Sequence, residues 1–129
     1  MVKGKIFQEY YSVNEKVYNG FINVFKDNNI LHTDEMYAKK KKFKGLVMHG
    51  NILNGFLSHF IGECLPKKNV IIHGQSIKYH KPVYLDDKLC LKVIVQEVYS
   101  SVNVVKLTFS FINSEGILNA KGTIQIGVI

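Results

Sequence analysis

Asp27 and His32 stand five residues apart in the segment Asp27-Asn28-Asn29-Ile30-Leu31-His32. Asp-Asn-Asn is turn chemistry, so the two side chains lie on either side of a turn. A carboxylate and an imidazole that converge there can hold and deprotonate one water as an acid–base pair. Asp27 also follows the end of a predicted helix, where the dipole disfavours an anion. A local rule broken in this way points towards function. The plainer reading is a helix stop beside a surface histidine, and the spacing alone leaves both open. A second group is Val47-Met48-His49-Gly50. Gly50 is expected near the first turn of the helix that follows, with its N–H unpaired and aligned with the positive dipole end. With no side chain in the way, a ligand carbonyl can approach it, which makes an oxyanion donor. An ordinary loop-to-helix turn carries the same residues, and His49 taken alone reads as a structural histidine. The third group, Gln75 to Asp87, reads as a strand broken by Pro82 with a turn at Asp86-Asp87. Lys78 and Lys81 there can meet phosphates, or can be edge-strand lysines that block aggregation.

These residues need elements to position them. Phe7 to Val13 alternates loosely and predicts a strand, with Asn14 as an N-cap after it. Val17, Phe21, Val24 and Phe25 follow at helical spacing, and the helix should end near Lys26. Tyr37 and Ala38 suggest a second short helical turn. Asn51 to Leu65 is the most apolar helix candidate. Ile52, Leu53, Phe56, Leu57, Phe60 and Ile61 cover most of its circumference, so protein must surround it. Pro66 stops it.

After Pro66 the period changes from helical to alternating. Val70 to Tyr79 is one strand. Leu89, Leu91, Val93 and Val95 mark a second; Val105, Leu107, Phe109 and Phe111 mark a third; Ile117 to Ile129 is a fourth. Ser100-Ser101 and Ser114-Glu115-Gly116 are tight connections, so an antiparallel meander is expected. Strand, helix, loop, buried helix and four strands make an α+β order. The hotdog fold satisfies it: one curved antiparallel sheet wrapped around one apolar helix. A lone sheet of this kind leaves an edge and an apolar face open, and side-by-side homodimerisation is the expected remedy.

The 129 residues are one domain's worth, and residues 1–129 read as a single domain. The chain is 47% hydrophobic and 21% charged, close to the globular average. The formal net charge is +7. Every basic residue is Lys, since the chain holds no Arg. Guanine recognition usually relies on bidentate Arg, so nucleic acid is not expected as a partner. Lysine still suits phosphates, which fits a phosphate-bearing small molecule or an acidic carrier protein. No apolar run approaches the ~20 residues of a membrane span. The charged start Met-Val-Lys-Gly-Lys is not that of a signal peptide, so a cytoplasmic protein is expected. Cys64 and Cys90 have neither disulfide-framework nor zinc spacing and read as buried free thiols. The run Lys39 to Lys42, with Lys44, reads as a solvated loop.

Taken together, three segments carry a pattern: Asp-x-Asn-x-Leu-His, then His-Gly ahead of an apolar helix, then Lys-Pro-Val-Tyr-Leu-x-Asp. The pattern resembles the MaoC-like, (R)-specific enoyl-CoA hydratase family of hotdog proteins, from about Phe21 to Val95. The resemblance implies that Asp27 and His32 are the catalytic pair and that Asn29 is the motif's asparagine. It implies that the Gly50 amide polarises a thioester carbonyl and that Ser58 lies near the site. Substrate contacts are expected from Asn29, His49, Ser58, Lys78 and Lys81. The implied activity is reversible hydration of a trans-2-enoyl thioester to the (R)-3-hydroxyacyl product. The implied carrier is coenzyme A or acyl carrier protein, with no metal and no further cofactor. Lys26 stands where the family usually has Gly, and Ile30 where it usually has Pro. Two other readings of a hotdog domain stand beside this one. One is an acyl-CoA thioesterase using Glu63, the only acid on the central helix. The other is a non-catalytic module that binds an acyl thioester or a partner.

Overall fold

Alternating apolar residues build the sheet, and the longest apolar helix fills it. In the computed structural model, which describes residues 1–129, β1 (Ile6–Ser12) opens the chain. Four helical segments follow: α1 (Glu15–Phe25), α2 (Ile30–Thr33), α3 (Glu35–Lys40) and α4 (Asn51–His59). The last runs on into a π-helical turn, Phe60–Cys64. Then come β2 (Val70–Tyr79), β3 (Lys88–Tyr99), β4 (Val104–Asn113) and β5 (Leu118–Val128). All five strands form one antiparallel sheet in the order β1-β3-β4-β5-β2. Its concave face presents Leu89, Leu91, Val93, Val95, Leu107 and Phe111 to Ile52, Leu53, Leu57, Phe60 and Ile61 of the central helix, all buried. This is the expected hotdog arrangement.

The order corrects one expectation. Strands β3, β4 and β5 do form a meander, but β2 leaves it and pairs with β5 at the far edge, from Val70↔Val128 to Tyr79↔Ala120. The segment between β2 and β3 is no tight turn, and Pro82 cannot donate to a ladder. It is held across the sheet by Asn119 of β5, whose carbonyl accepts from the N–H groups of His80 and Lys81. The buried Asn119 side chain also donates to the Pro82 carbonyl at 3.1 Å. That leaves β1 and β2 as the two edges.

The central helix also differs in degree. Its sheet-facing side is buried, but Asn51, Gly55, Ser58 and His59 are exposed, so protein surrounds it on one side of the single chain. The helix was expected to run to Leu65 and stops one residue earlier, at Cys64. Cys64 and Cys90 are free, as expected, but half-buried. Lys39 and Lys40 belong to α3 rather than a loop.

Helix α1 begins as its sequence directs, with the Asn14 side chain accepting from the Val17 N–H at 3.0 Å. It ends on Lys26, which adopts φ +60°. Left-handed backbone costs a non-glycine residue roughly 1–2 kcal/mol. The position is therefore one that glycine fills without strain, and this chain holds the same turn with lysine.

Candidate active site

The turn after α1 is built by its own side chains. The Asp27 carboxylate accepts from the Asn29 N–H at 3.2 Å. The Asn29 side chain accepts from the Leu31 N–H at 3.0 Å and so starts α2. That short helix, not foreseen in the sequence, carries His32. Tyr18 of α1 donates its hydroxyl to the His32 carbonyl at 2.5 Å.

The second segment locks onto the first through two imidazoles. His32 Nδ1 lies 2.6 Å from the Val47 carbonyl. A carbonyl only accepts, so Nδ1 carries the proton and Nε2 is the free acceptor of the neutral ring. His49 Nε2 lies 2.8 Å from the backbone carbonyl of Asp27, so there Nδ1 is the free acceptor. His49 is only 3% exposed, and its Nδ1 has no hydrogen-bond partner in the chain. The two rings pack at a tilt of 32° with centroids 4.0 Å apart, and Phe21 packs on His49 at 4.7 Å.

The Asp27 carboxylate and one ring nitrogen from each histidine all lie within 4.8 Å of one another. One water can bond to the Asp27 carboxylate and to His32 Nε2, while His49 Nε2 is taken by the Asp27 carbonyl. Nitrogen and carboxylate donors of this kind also hold zinc; the sequence carries no such spacing, and the fold creates it.

Burial pushes the His49 pKa down, and neighbouring His32 pushes the same way against the Asp27 carbonyl. A depressed imidazole stabilises the fold above its unfolded pKa of about 6.5. That stability is lost as pH falls through the folded value. Wild-type melting temperature should therefore drop more between pH 7 and pH 5 than that of His49→Gln, which keeps a donor near Nε2 but cannot titrate. Parallel pH slopes for the two proteins would remove this linkage.

Gly50 stands just before α4 with φ −58° and ψ −33°. Its N–H makes no hydrogen bond within the chain. The sheet sets its place: Asn119 holds residues 80–82, and the Val83 carbonyl accepts from the Met48 N–H at 2.8 Å. A side-chain carbon at Gly50 would meet Cε1 and Cζ of Tyr79 at 2.9 Å. Any side chain there must displace the Tyr79 ring. Tyr79 was not singled out from the sequence. It sits beside Lys78 in β2 and points to the opposite face. Asn54 donates to the Tyr79 hydroxyl at 3.4 Å and to Asn51 at 2.8 Å, and accepts from Gln75 at 2.7 Å.

Asp27, His32, His49, Gly50, Tyr79 and Lys81 all line one cavity of about 540 Å³. Of the other expected residues, Asn29 shapes the turn, Ser58 lies on the exposed side of α4, and Lys78 is exposed on β2. None of these three lines that cavity. Glu63 lies in the π-helical turn, about 20 Å from Gly50 at the helical rise per residue.

The MaoC like domain family model matches residues 4–114. The chain belongs to the MaoC-like domain family. Its match spans all three segments that form the cavity. Among curated relatives, the (R)-specific enoyl-CoA hydratase of Aeromonas caviae is 29% identical over 102 residues, 79% of this chain and 76% of that one. The (R)-specific enoyl-CoA hydratase of Rhodospirillum rubrum is 35% identical over 75 residues, 58% of this chain and 52% of that one. Among solved structures, the unliganded R-hydratase PhaJ1 from Pseudomonas aeruginosa superposes with a TM-score of 0.90 at 27% identity. That match covers 99% of this MaoC-like chain and 82% of the other.

Proposed function

We propose that this MaoC-like protein is a hydro-lyase acting on trans-2-enoyl thioesters, with the (R) hand of its hydratase relatives. The observation that carries the reading is the meeting of Asp27, His32 and His49 beside an unpaired Gly50 N–H. The thioester carbonyl accepts from that N–H at the positive end of α4. A water held by Asp27 and His32 Nε2 attacks C3. The C2–C3 double bond shifts to give an enolate, whose oxygen charge Gly50 stabilises. The pair takes one proton from the water and returns one to C2, so its own protonation is unchanged. Dehydration runs the same steps backwards. His49 holds the Asp27 backbone and keeps the turn in place.

On this reading the carrier is coenzyme A or acyl carrier protein, and the position of Lys81 at the cavity wall supports a contact with its phosphates. No helix is long and apolar enough to cross a membrane. Free thiols at Cys64 and Cys90 support a cytoplasmic setting.

The test is a screen with crotonyl-, hexenoyl- and octenoyl-CoA, following loss of enoyl-thioester absorbance and, in parallel, free thiol. Loss of absorbance without thiol release is expected. Thiol release instead would make the protein a thioesterase, and thioester binding without turnover would make it a binding module.

The open edge of β2, with Ile71 and Tyr79 half exposed, supports a homodimer. Light scattering should return twice the chain mass of 14.7 kDa. A monomer at micromolar concentration would count against it.

A further inference from the structure

Residues 80–83 form a strap that leaves β2 at Tyr79 and reaches the bridge between Val47 and Tyr84. On the way Lys81, Pro82 and Val83 wall the cavity that holds Asp27, His32 and Gly50. Pro82 has no N–H, and within the chain its carbonyl bonds to the Asn119 side chain alone. The next carbonyl, that of Val83, accepts from the Met48 N–H at 2.8 Å. Val47, beside Met48, takes the bond from His32 on its other side. The strap therefore fixes the two residues that anchor His32 and lead into Gly50.

Asn119 is costly where it stands. Phe111 pairs with Ala120 and Ile112 with Leu118, so Asn119 is the extra residue of a β-bulge and has no partner in β4. Two successive residues, Asn119 and Ala120, are buried there in place of the usual alternation. The Asn119 side chain is 1% exposed, and its Oδ1 accepts from nothing in the chain. An unpaired buried acceptor destabilises, and a bulge interrupts the ladder. Leucine has nearly the same size and lacks the unpaired acceptor. The bonds from the His80 and Lys81 N–H groups go to the Asn119 backbone carbonyl, so any residue can make them. What the carboxamide alone supplies is the Nδ2 donor 3.1 Å from the Pro82 carbonyl. Bulges beside active sites re-aim side chains in this way, and local rules broken together point towards function.

Resting on the hydratase reading, we infer that Asn119 is a positioning residue, whose carboxamide sets the strap so that the Gly50 N–H meets the thioester oxygen. Asn119 does not line the cavity and acts through Pro82, Val83 and Met48. A slightly displaced donor still binds a ground-state carbonyl but stabilises the developing oxyanion less. Loss of the Asn119 amide is therefore felt in kcat and hardly in KM.

The test is Asn119→Leu, assayed with crotonyl-CoA. Its kcat should fall about tenfold to a hundredfold, the scale of small misplacements, with KM within about threefold of wild type. Melting should stay close to wild type, because the buried leucine offsets the lost bond to Pro82. In nitrogen-15-labelled protein the amide peaks of Met48 and Gly50 should move, and those of Val104 and Val128, at the far end of the sheet, should not. That arm needs no turnover. A wild type that hydrates nothing removes the hydratase reading, and the peaks then decide the positioning role by themselves. Asn119→Asp, with the same shape, serves if the leucine variant does not fold. Its acid form can donate to the Pro82 carbonyl and its carboxylate cannot. Burial favours the acid form, so its kcat relative to wild type should rise from about pH 8 to about pH 6. A wild-type kcat in Asn119→Leu, whatever its melting, overturns the inference, as does a loss carried by KM instead. So do Met48 and Gly50 peaks that stay in place, or a flat pH ratio in folded Asn119→Asp.

Discussion

Asp27→Asn should lower enoyl-CoA turnover at least about a hundredfold, the usual scale for loss of an acid–base group, and leave melting nearly unchanged. Asp27 is exposed, and asparagine can still accept from the Asn29 N–H as the carboxylate does. What it cannot do is take a proton from water. His32 needs more care, because it is half-buried and its Nδ1–H bonds to the Val47 carbonyl. His32→Ala leaves that carbonyl without its partner, which costs about 1–3 kcal/mol where water cannot replace it. His32→Asn is the cleaner change: its amide can still donate near the Nδ1 position while Nε2 disappears. It should melt close to wild type and still lose about a hundredfold. Asp27→Asn with His32→Asn should be little worse than either alone, because groups acting as a unit are not additive. An Asp27→Asn protein with near-full turnover sinks the assignment.

Those variants rest on features the sequence discloses unevenly. The Asp-Asn-Asn turn, the helix start at Gly50 and the alternating strands are local, and local chemistry sets them. Their partners are not local. Alternation in β2 says which side chains face inwards, but not which strand lies beside it. The route to β5 depends on Asn119, about forty residues downstream of β2's end. The bond between His49 and the Asp27 carbonyl joins residues 22 positions apart, and no periodicity announces it. Helix α2 has four residues, too few to show a helical period. Its cap at Asn29 and its anchor from His32 to Val47 are what hold it. Lys26 shows the same limit: the residue type argues against left-handed backbone, yet the end of α1 imposes it. Asp27, His32, His49, Gly50 and Lys81 of the cavity stand out in the sequence, Tyr79 does not, and Asn29, Ser58 and Lys78 fall outside it; the geometry is the work of tertiary bonds.

Gly50→Ala should lower turnover by ten- to a thousandfold, about 1.4–4 kcal/mol of transition-state stabilisation. The backbone there has φ −58°, so alanine is not strained. The new methyl would lie 2.9 Å from Cε1 and Cζ of Tyr79. Tyr79 is 51% exposed, and its ring can swing outwards, so melting should change little. Two causes then compete for the lost activity. The methyl can block the thioester carbonyl at the helix start, or the displaced Tyr79 can do the damage. Tyr79→Ala separates them, since it removes the ring and leaves the Gly50 N–H open. If the carbonyl docks at Gly50, Tyr79→Ala keeps most turnover, and adding Gly50→Ala to it still costs at least tenfold. If the ring is the cause, Tyr79→Ala alone reproduces the loss and the second change adds nothing. A Gly50→Ala protein with wild-type melting and wild-type turnover would mean that the carbonyl is not bound at the start of α4. The enolate would then lack the Gly50 N–H, which the fold leaves unpaired beside Asp27 and His32.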